Sequence, residues 1–241
     1  MNKTISSTST QRKESEVNAY FRALGAVVWK DLAAELRSRE LISGMLVFSL
    51  LVIFIFNFAL ELDAGARSTV TAGVLWVTFV FAGTLGLNRS LAIEKDRGCL
   101  DGLLLAPVDR TAIYFGKAIA NLVFILSVAA IVLPVYSVLY NINLFARPGL
   151  LLVIFLGAEG YVAVGTLLAT MAVQTRTRDM LLPILLFPVV IPVLVAAVKA
   201  SSGYLQGIPM DEIRPWLNLL LVYDAVFTAA AFMVFDFVVE E

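Results

Sequence analysis

Two acidic residues lie deep inside long apolar runs and are the first candidates for chemistry. Glu159 stands near the middle of one run and Asp224 near the middle of another. A charge at mid-depth in a bilayer is costly, so such acids either serve a substrate, ion or proton or form hydrogen bonds with neighbouring helices. The sequence leaves both roles open. The side chains able to supply such bonds are Asn57, Asn121, Tyr161 and Tyr223.

The pair Tyr223-Asp224 is similar to the Tyr-Asp pair of intramembrane aspartyl proteases. The chemistry of these enzymes needs two carboxyl groups that share one proton. Glu159 is the only other deep acid, and its setting, GAEGYVAVG, lacks the expected Gly-x-Gly-Asp pattern. A different use of the same two acids is a proton-coupled carrier, which would transport without an ATPase.

The composition excludes several classes of function. The chain of 241 residues contains no histidine and one cysteine, so neither a Ser/His/Asp triad nor a multi-cysteine zinc site can form. It also lacks a glycine-rich loop ending in Gly-Lys-Ser/Thr, the phosphate-binding loop of many ATPases. We therefore predict no catalytic residues, no metal site and no nucleic-acid partner.

With 60% hydrophobic and 15% charged residues, the chain is too apolar for a single soluble core. Six apolar runs are long enough to cross a bilayer as helices, the form that satisfies backbone groups in lipid. The predicted spans are 42–60, 70–90, 112–140, 149–173, 180–199 and 217–236. They belong to one transmembrane domain, residues 17–241, which follows a disordered polar tail, residues 1–16.

The basic residues set the predicted orientation. Fourteen of the 18 Lys and Arg residues fall before the first span or around the loops after the second and fourth spans. Loops rich in Lys and Arg stay on the cytoplasmic side of the membrane. Both termini are therefore predicted to be cytoplasmic.

Residues 17–38 have the pattern of an amphipathic helix. Apolar residues recur at steps of three and four from Val17 to Leu36, with charged residues between them. Such a helix lies along the membrane surface, where Tyr20 and Trp29 suit the headgroup layer. Packing of this helix on a partner protein is the alternative.

Prolines and glycines predict the shape of the later spans. Pro183, Pro188 and Pro192 in span five predict a kink or a break. The segment 200–216 predicts a short re-entrant or interfacial turn before Trp216 anchors span six. Small residues in spans two and four predict close helix packing, namely Ala82, Gly86, Gly157, Gly160 and Gly165.

The loop 91–110 carries an apolar ridge among charges. Ile93, Leu100 and Leu104 share one face of a helix because they are spaced seven and then four residues apart. A proline then ends this helix, and Asp109 is the predicted N-cap of the next one. Such a ridge is stable when it docks into a groove of another protein. The alternative is that its leucines dip into the membrane surface.

Two stretches carry a family resemblance when they are taken together. They are GVLWVTFVFAGTLGLNRSLAIEKDRG, in and after span two, and LDGLLLAPVDRTAIYFGKAIAN, which follows. From about residue 26 to its end, the chain resembles the CcmB family, the membrane permease subunit of the cytochrome c maturation (heme exporter) ABC transporter. The departures from the family pattern are mild: Lys95-Asp96 replaces a more acidic pairing, and the N-terminal tail is longer.

The resemblance implies an ABC-2 or type V exporter-like fold with six transmembrane helices, an N-terminal interfacial helix and a cytoplasmic coupling helix. It implies a second copy of the chain, two copies of a CcmA-like ABC ATPase subunit, a heme-handling CcmC-like membrane subunit and a small CcmD-like subunit. The implied location is the bilayer of the bacterial cytoplasmic membrane. Carried over residue by residue, the ATPase-coupling region comprises Glu94, Gly98, Leu100, Asp101, Gly102, Leu103, Leu104, Leu105 and Pro107.

The resemblance also makes heme a possible transported substrate, with ATP acting only through the partner subunit. Without histidine, the chain offers only Met, Tyr or Cys99 as axial heme ligands, and Cys99 is on the predicted cytoplasmic side. We therefore expect no tightly bound cofactor. The alternative with the same architecture is an ABC-2 permease for another lipid, drug or polysaccharide.

Overall fold

A computed structural model describes residues 4–59, 64–96, 102, 108–142, 147–173, 175 and 177–240. Over these residues every regular element is an α-helix. The long helices among them are α1 (Thr4–Ser38), α2 (Glu40–Ala59), α3 (Ala64–Asp96), α4 (Arg110–Leu139), α5 (Pro148–Ala172), α6 (Arg178–Gln206) and α7 (Met210–Glu240).

Helices α2 to α7 are each long and apolar enough to cross a membrane, which confirms the predicted all-α membrane fold. Their apolar spans are Glu40–Ala59, Val70–Ile93, Arg110–Leu139, Pro148–Ala172, Met180–Gln206 and Met210–Phe235. A hydrocarbon core of about 30 Å needs about 20 helical residues. The hydrophobic length of each run is therefore enough to predict the number of spans.

Helices α3 and α5 form the interior of the molecule. Helix α5 packs against α3, α4, α6 and α7, while α3 also packs against α2, α4 and α6. Helices α2 and α7 are more peripheral and expose apolar side chains such as Phe58 and Met233. In a membrane these exposed apolar side chains would face lipid rather than water.

Small residues bring α5 close to its neighbours, as predicted. A methyl group added at Gly157 would lie 2.1 Å from the Trp76 ring of α3, and one added at Gly165 would lie 2.4 Å from Leu87. The Trp76 indole Nε1 donates a hydrogen bond of 2.9 Å to Ser201 Oγ on α6. Helices α3, α5 and α6 are therefore interlocked at this point.

The predicted re-entrant turn over residues 200–216 is wrong. Helix α6 continues and α7 begins after only three residues, 207–209. Gly207 ends α6 in the left-handed conformation, with φ 73°, and the amides of Gly207 and Ile208 both donate to the Gly203 carbonyl. Glycine adopts this conformation without a steric penalty and commonly ends helices in this way. The polar composition of the segment therefore reflects two helix ends.

Helix α6 does not break at its three prolines. It is continuous from Arg178 to Gln206 and contains Pro183, Pro188 and Pro192. Proline is tolerated inside membrane helices where neighbouring helices support the backbone. Here α3, α5 and α7 all pack against α6.

Helix α1 starts at Thr4, so the backbone of residues 4–16 is helical where we predict a disordered tail. Once a helix has formed, each further residue extends it at low cost. Only part of the predicted apolar face of α1 is packed against another helix. Leu24 and Val27 pack toward α4, whereas Phe21 is exposed and Trp29 is 70% exposed. Placement of the exposed side at a membrane surface stays a prediction.

Candidate functional site

The predicted coupling loop lies between the end of α3 at Asp96 and the start of α4 at Arg110. Asp109 is the N-cap of α4, as predicted. Its Oδ1 accepts hydrogen bonds from the Thr111 amide at 2.8 Å and from the Thr111 hydroxyl at 2.6 Å. A side-chain oxygen at this position satisfies an amide that the helix itself leaves open. The start of α4 is therefore fixed directly after the loop.

Most of the predicted coupling residues lie outside the described residues, namely Gly98, Leu100, Asp101, Leu103, Leu104, Leu105 and Pro107. Gly102 is described and is exposed in a helical conformation. Glu94 lies near the end of α3, with its side chain outside the description. The docking ridge therefore stays a prediction.

A buried ion pair joins α1 to α4 about two helical turns after the Asp109 cap. Lys117 Nζ lies 3.6 Å from Asp31 Oδ2, and the Lys117 side chain is only 3% exposed. Lys30 Nζ lies 3.1 Å from the other oxygen of Asp31. A methyl group added at Gly116 would lie 2.7 Å from Val27 Cβ, so the two helices are in close contact. No pattern in the sequence pairs these residues, although a lysine inside an apolar span is a signal that it has a partner.

Helices α1, α2 and α3 meet at the same end of the molecule. Arg39 joins α1 to α2 with a positive φ of 55°, and Glu35 Oε1 accepts a hydrogen bond of 2.8 Å from the Ile42 amide. Arg89 Nη2 of α3 donates to Glu40 Oε2 of α2 at 2.6 Å; both side chains are exposed, so this pair contributes little stability. A groove of about 460 Å³ lies here, lined by charged and apolar residues that include Lys30, Asp31, Arg37, Leu41, Ile93 and Phe124.

The two predicted intramembrane acids are neighbours between α5 and α7. Glu159 Oε1 accepts a hydrogen bond of 3.0 Å from Thr228 Oγ1. Asp224 is 7% exposed and lies one helical turn before Thr228 on α7. Asp224 Oδ1 lies so close to the Gly160 backbone that an added methyl group there would be 2.2 Å away. Neither Asp224 oxygen accepts a hydrogen bond from a described donor.

The tyrosines predicted beside these acids bond elsewhere. The Tyr161 hydroxyl lies 2.8 Å from Thr84 Oγ1 and donates to a backbone carbonyl of α3 at 3.1 Å. The Tyr223 hydroxyl donates to the Val189 carbonyl of α6 at 2.9 Å. Both hydroxyls therefore join α5 or α7 to a neighbouring helix. Neither hydroxyl therefore bonds an acid, although both residues are able to supply such bonds, because helix rotation cannot be obtained from one sequence.

The asparagines do not serve the acids either. Asn121 Nδ2 donates to Thr166 Oγ1 at 3.1 Å, and Asn57 lies on α2, which packs on α3 and α4. The observed hydrogen-bond partner of Glu159 is Thr228. It lies four residues after Asp224 and so on the same face of a helix, which was the available signal.

A cavity of about 100 Å³ adjoins Glu159 between α4, α5 and α7. Its polar lining consists of Glu159, Thr228 and Tyr114, and the rest of its wall is apolar. The Tyr114 hydroxyl donates to the Ala163 carbonyl at 2.8 Å. A space of this size with several polar groups can hold water.

These contacts limit the chemistry of the described residues. The described residues contain no group of three or more His, Cys, Asp or Glu side chains that could hold a metal ion. Two carboxyl groups and nearby hydroxyl groups can instead bind a proton or accept hydrogen bonds.

The six apolar helices of membrane-crossing length among the described residues define a multi-helix integral membrane protein. The sequence model of the CcmB protein family matches residues 22–239, and the chain belongs to this family. Three similar proteins are each named "Heme exporter protein B". That of Bradyrhizobium diazoefficiens is 27% identical over 215 residues, 87% of this chain and 96% of the relative. That of Paracoccus denitrificans is 27% identical over 209 residues (86% and 96%), and that of Pseudomonas aeruginosa is 26% identical over 179 residues (74% and 80%).

Proposed function

We propose that this chain is the transmembrane subunit of an ATP-driven heme exporter that serves cytochrome c maturation. The family match over residues 22–239 carries the proposal, together with relatives named "Heme exporter protein B". The six apolar helices supply the membrane-crossing part of such an exporter. Heme is the proposed cargo, and the chain itself is a transport subunit.

ATP hydrolysis is assigned to a separate CcmA-like subunit, because this chain lacks the phosphate-binding loop. The region from Glu94 to Pro107 is the proposed contact with that subunit. The local structure supports this assignment, because Asp109 caps the start of α4 directly after the loop and Lys117 joins α4 to α1. A displacement of the loop would therefore move α4 and α1 together.

The proposed complex contains a second copy of this chain, a CcmC-like subunit and a small CcmD-like subunit in the bacterial cytoplasmic membrane. Both chain termini are placed in the cytoplasm. The support for this orientation is the concentration of Lys and Arg before the first span and near the second and fourth loops.

The alternative functions have less support. An intramembrane protease must bring its carboxyl groups to a peptide bond, whereas Asp224 is buried against Gly160. An ABC-2 permease for another lipid, drug or polysaccharide would have the same fold. The relatives' name, "Heme exporter protein B", favours heme over these substrates. A proton-coupled carrier would transport without an ATPase.

Deletion of the gene in its own host tests the proposal. We expect c-type cytochromes, which bind heme covalently, to disappear from heme-stained gels, and the intact gene on a plasmid to restore them. Cytochromes that bind heme without a covalent bond are the matched control and should be unchanged. Normal c-type cytochromes in the deletion strain would contradict heme export, and transport that persists without any ATPase would favour the carrier.

A further inference from the structure

We propose that Glu159 and Asp224 form a proton-binding site between α5 and α7, in which the two carboxyl groups share one proton. This inference does not rest on heme export. It concerns only the described side chains of two membrane-spanning helices.

The main support for a shared proton is the burial of the Asp224 carboxyl group without a hydrogen-bond donor among the described residues. The residue is 7% exposed, and neither of its oxygens accepts a hydrogen bond from a described donor. A buried ionised carboxyl group without a partner is strongly unfavourable. Asp224 Oδ1 lies against Gly160, the residue after Glu159, and Thr228, one turn after Asp224, donates to the Glu159 carboxyl group. This neighbouring carboxyl group can donate a hydrogen bond only if it carries a proton. One shared proton would supply the missing hydrogen bond.

Among the described residues, no ion pair involves either acid. The described ion pairs, Lys30–Asp31, Lys117–Asp31 and Arg89–Glu40, include neither acid. The other titratable groups that face the pair are Tyr114 of α4 and Tyr223 of α7. Both tyrosine hydroxyls donate to backbone carbonyls of α5 and α6 respectively. Helix α6 contributes Val193, an apolar side chain, beside Gly160.

The donor set favours a proton over a metal ion. Glu159, Asp224 and the Thr228 hydroxyl provide few oxygen atoms, whereas Ca²⁺ takes roughly six to eight oxygen ligands. The described residues contain no third acidic, His or Cys ligand. A carboxyl–carboxylate pair needs only the proton itself.

The two acids differ in their access to water. Glu159 lines the cavity of about 100 Å³, whereas Asp224 is sealed against Gly160. A cavity of this volume with polar lining groups has room for water. We therefore infer that the proton exchanges from the Glu159 side.

Carbodiimide labelling of the full-length chain in membranes tests this site. Dicyclohexylcarbodiimide enters lipid and reacts with protonated carboxyl groups. We expect mass spectrometry to find the label on Glu159 of the unaltered chain. Labelling should fall about tenfold for each pH unit above the pH at which the proton is lost. The Glu159→Gln variant should lose this label, and Asp224→Asn should change its pH dependence.

Asp211→Asn is the matched control, because Asp211 is an exposed acid at the start of the same helix, α7. It should leave the labelling and its pH profile unchanged. Absence of label on both Glu159 and Asp224 at every pH would overturn the proposal, and so would protection by Na⁺ at constant pH, which would indicate a metal-ion site. The unaltered chain gives both results, so the test does not depend on the folding of any variant.

Discussion

Asp109 and Asp224 show how position decides the role of the same side chain. Asp109 stands at the start of α4, where its carboxylate accepts hydrogen bonds from Thr111. Asp224 stands in the interior of the helix bundle, where described donors leave its oxygens without hydrogen bonds. The first carboxylate stabilises a helix end, and the second is stable only if another group compensates it.

Replacement of Asp109 should weaken the start of α4. We expect Asp109→Ala to lower the free energy of unfolding by about 1 kcal/mol, because the Thr111 amide loses its acceptor. Asp109→Asn keeps an acceptor oxygen and serves as the control. Thermal unfolding of the purified variants in detergent measures the difference. Equal midpoints for the Ala and Asn variants would show that the cap contributes nothing.

At the scale of helices, packing depends on where glycine meets a large side chain. Gly157→Ala should destabilise the protein by roughly 1–3 kcal/mol, because the new methyl group would lie 2.1 Å from the Trp76 ring. Gly73→Ala is the matched control on α3, since nothing lies within 4 Å of its added methyl group. It should be neutral or stabilise by about 0.5–1 kcal/mol. The unfolding midpoints in detergent should therefore move apart, and a neutral Gly157→Ala would contradict the close contact.

The contact between α1 and α4 predicts a second effect at this scale. Asp31→Asn leaves the Lys117 charge buried without its carboxylate, which should cost about 3 kcal/mol or more. The double variant Asp31→Asn/Lys117→Met should recover much of this loss, because it also removes the buried charge. Lys30→Met is the control and should cost less than about 1 kcal/mol, since the Lys30 side chain is 43% exposed and Lys117 is 3% exposed. If the single and double variants unfold alike, the ion pair does not join the two helices.

The sequence predicts helices better than it predicts their contacts. Six spans follow from hydrophobic length, and the Asp109 cap follows from local chemistry next to a helix start. The spacing of four residues places Thr228 on the same face as Asp224, but its pairing with Glu159 also depends on how α5 and α7 rotate and pack. The connection at residues 207–209 was missed for a different reason, because polar residues at two helix ends resemble a longer loop.

At the scale of the whole molecule, the proposed function requires contact with a separate ATPase. We expect Leu104→Asp to abolish co-purification of the ATPase subunit, because a charge would replace an apolar contact in the predicted ridge. Membrane insertion should be unchanged, since Leu104 is outside the six spans. Leu104→Met keeps an apolar side chain and should retain the ATPase. Undiminished co-purification of Leu104→Asp would show that the ridge is not the docking surface.

The short connection between α6 and α7 also restricts how these helices can move. Three extended residues reach only about 10 Å, similar to the distance of about 8–10 Å between the axes of packed helices. The ends at Gln206 and Met210 therefore stay together, and further along the helices the hydrogen bond from Tyr223 to the Val189 carbonyl also joins α7 to α6. Any swing of α7 away from α6 would turn about the connection at Gly207. The distance between the two helices would therefore increase most at the opposite face of the membrane.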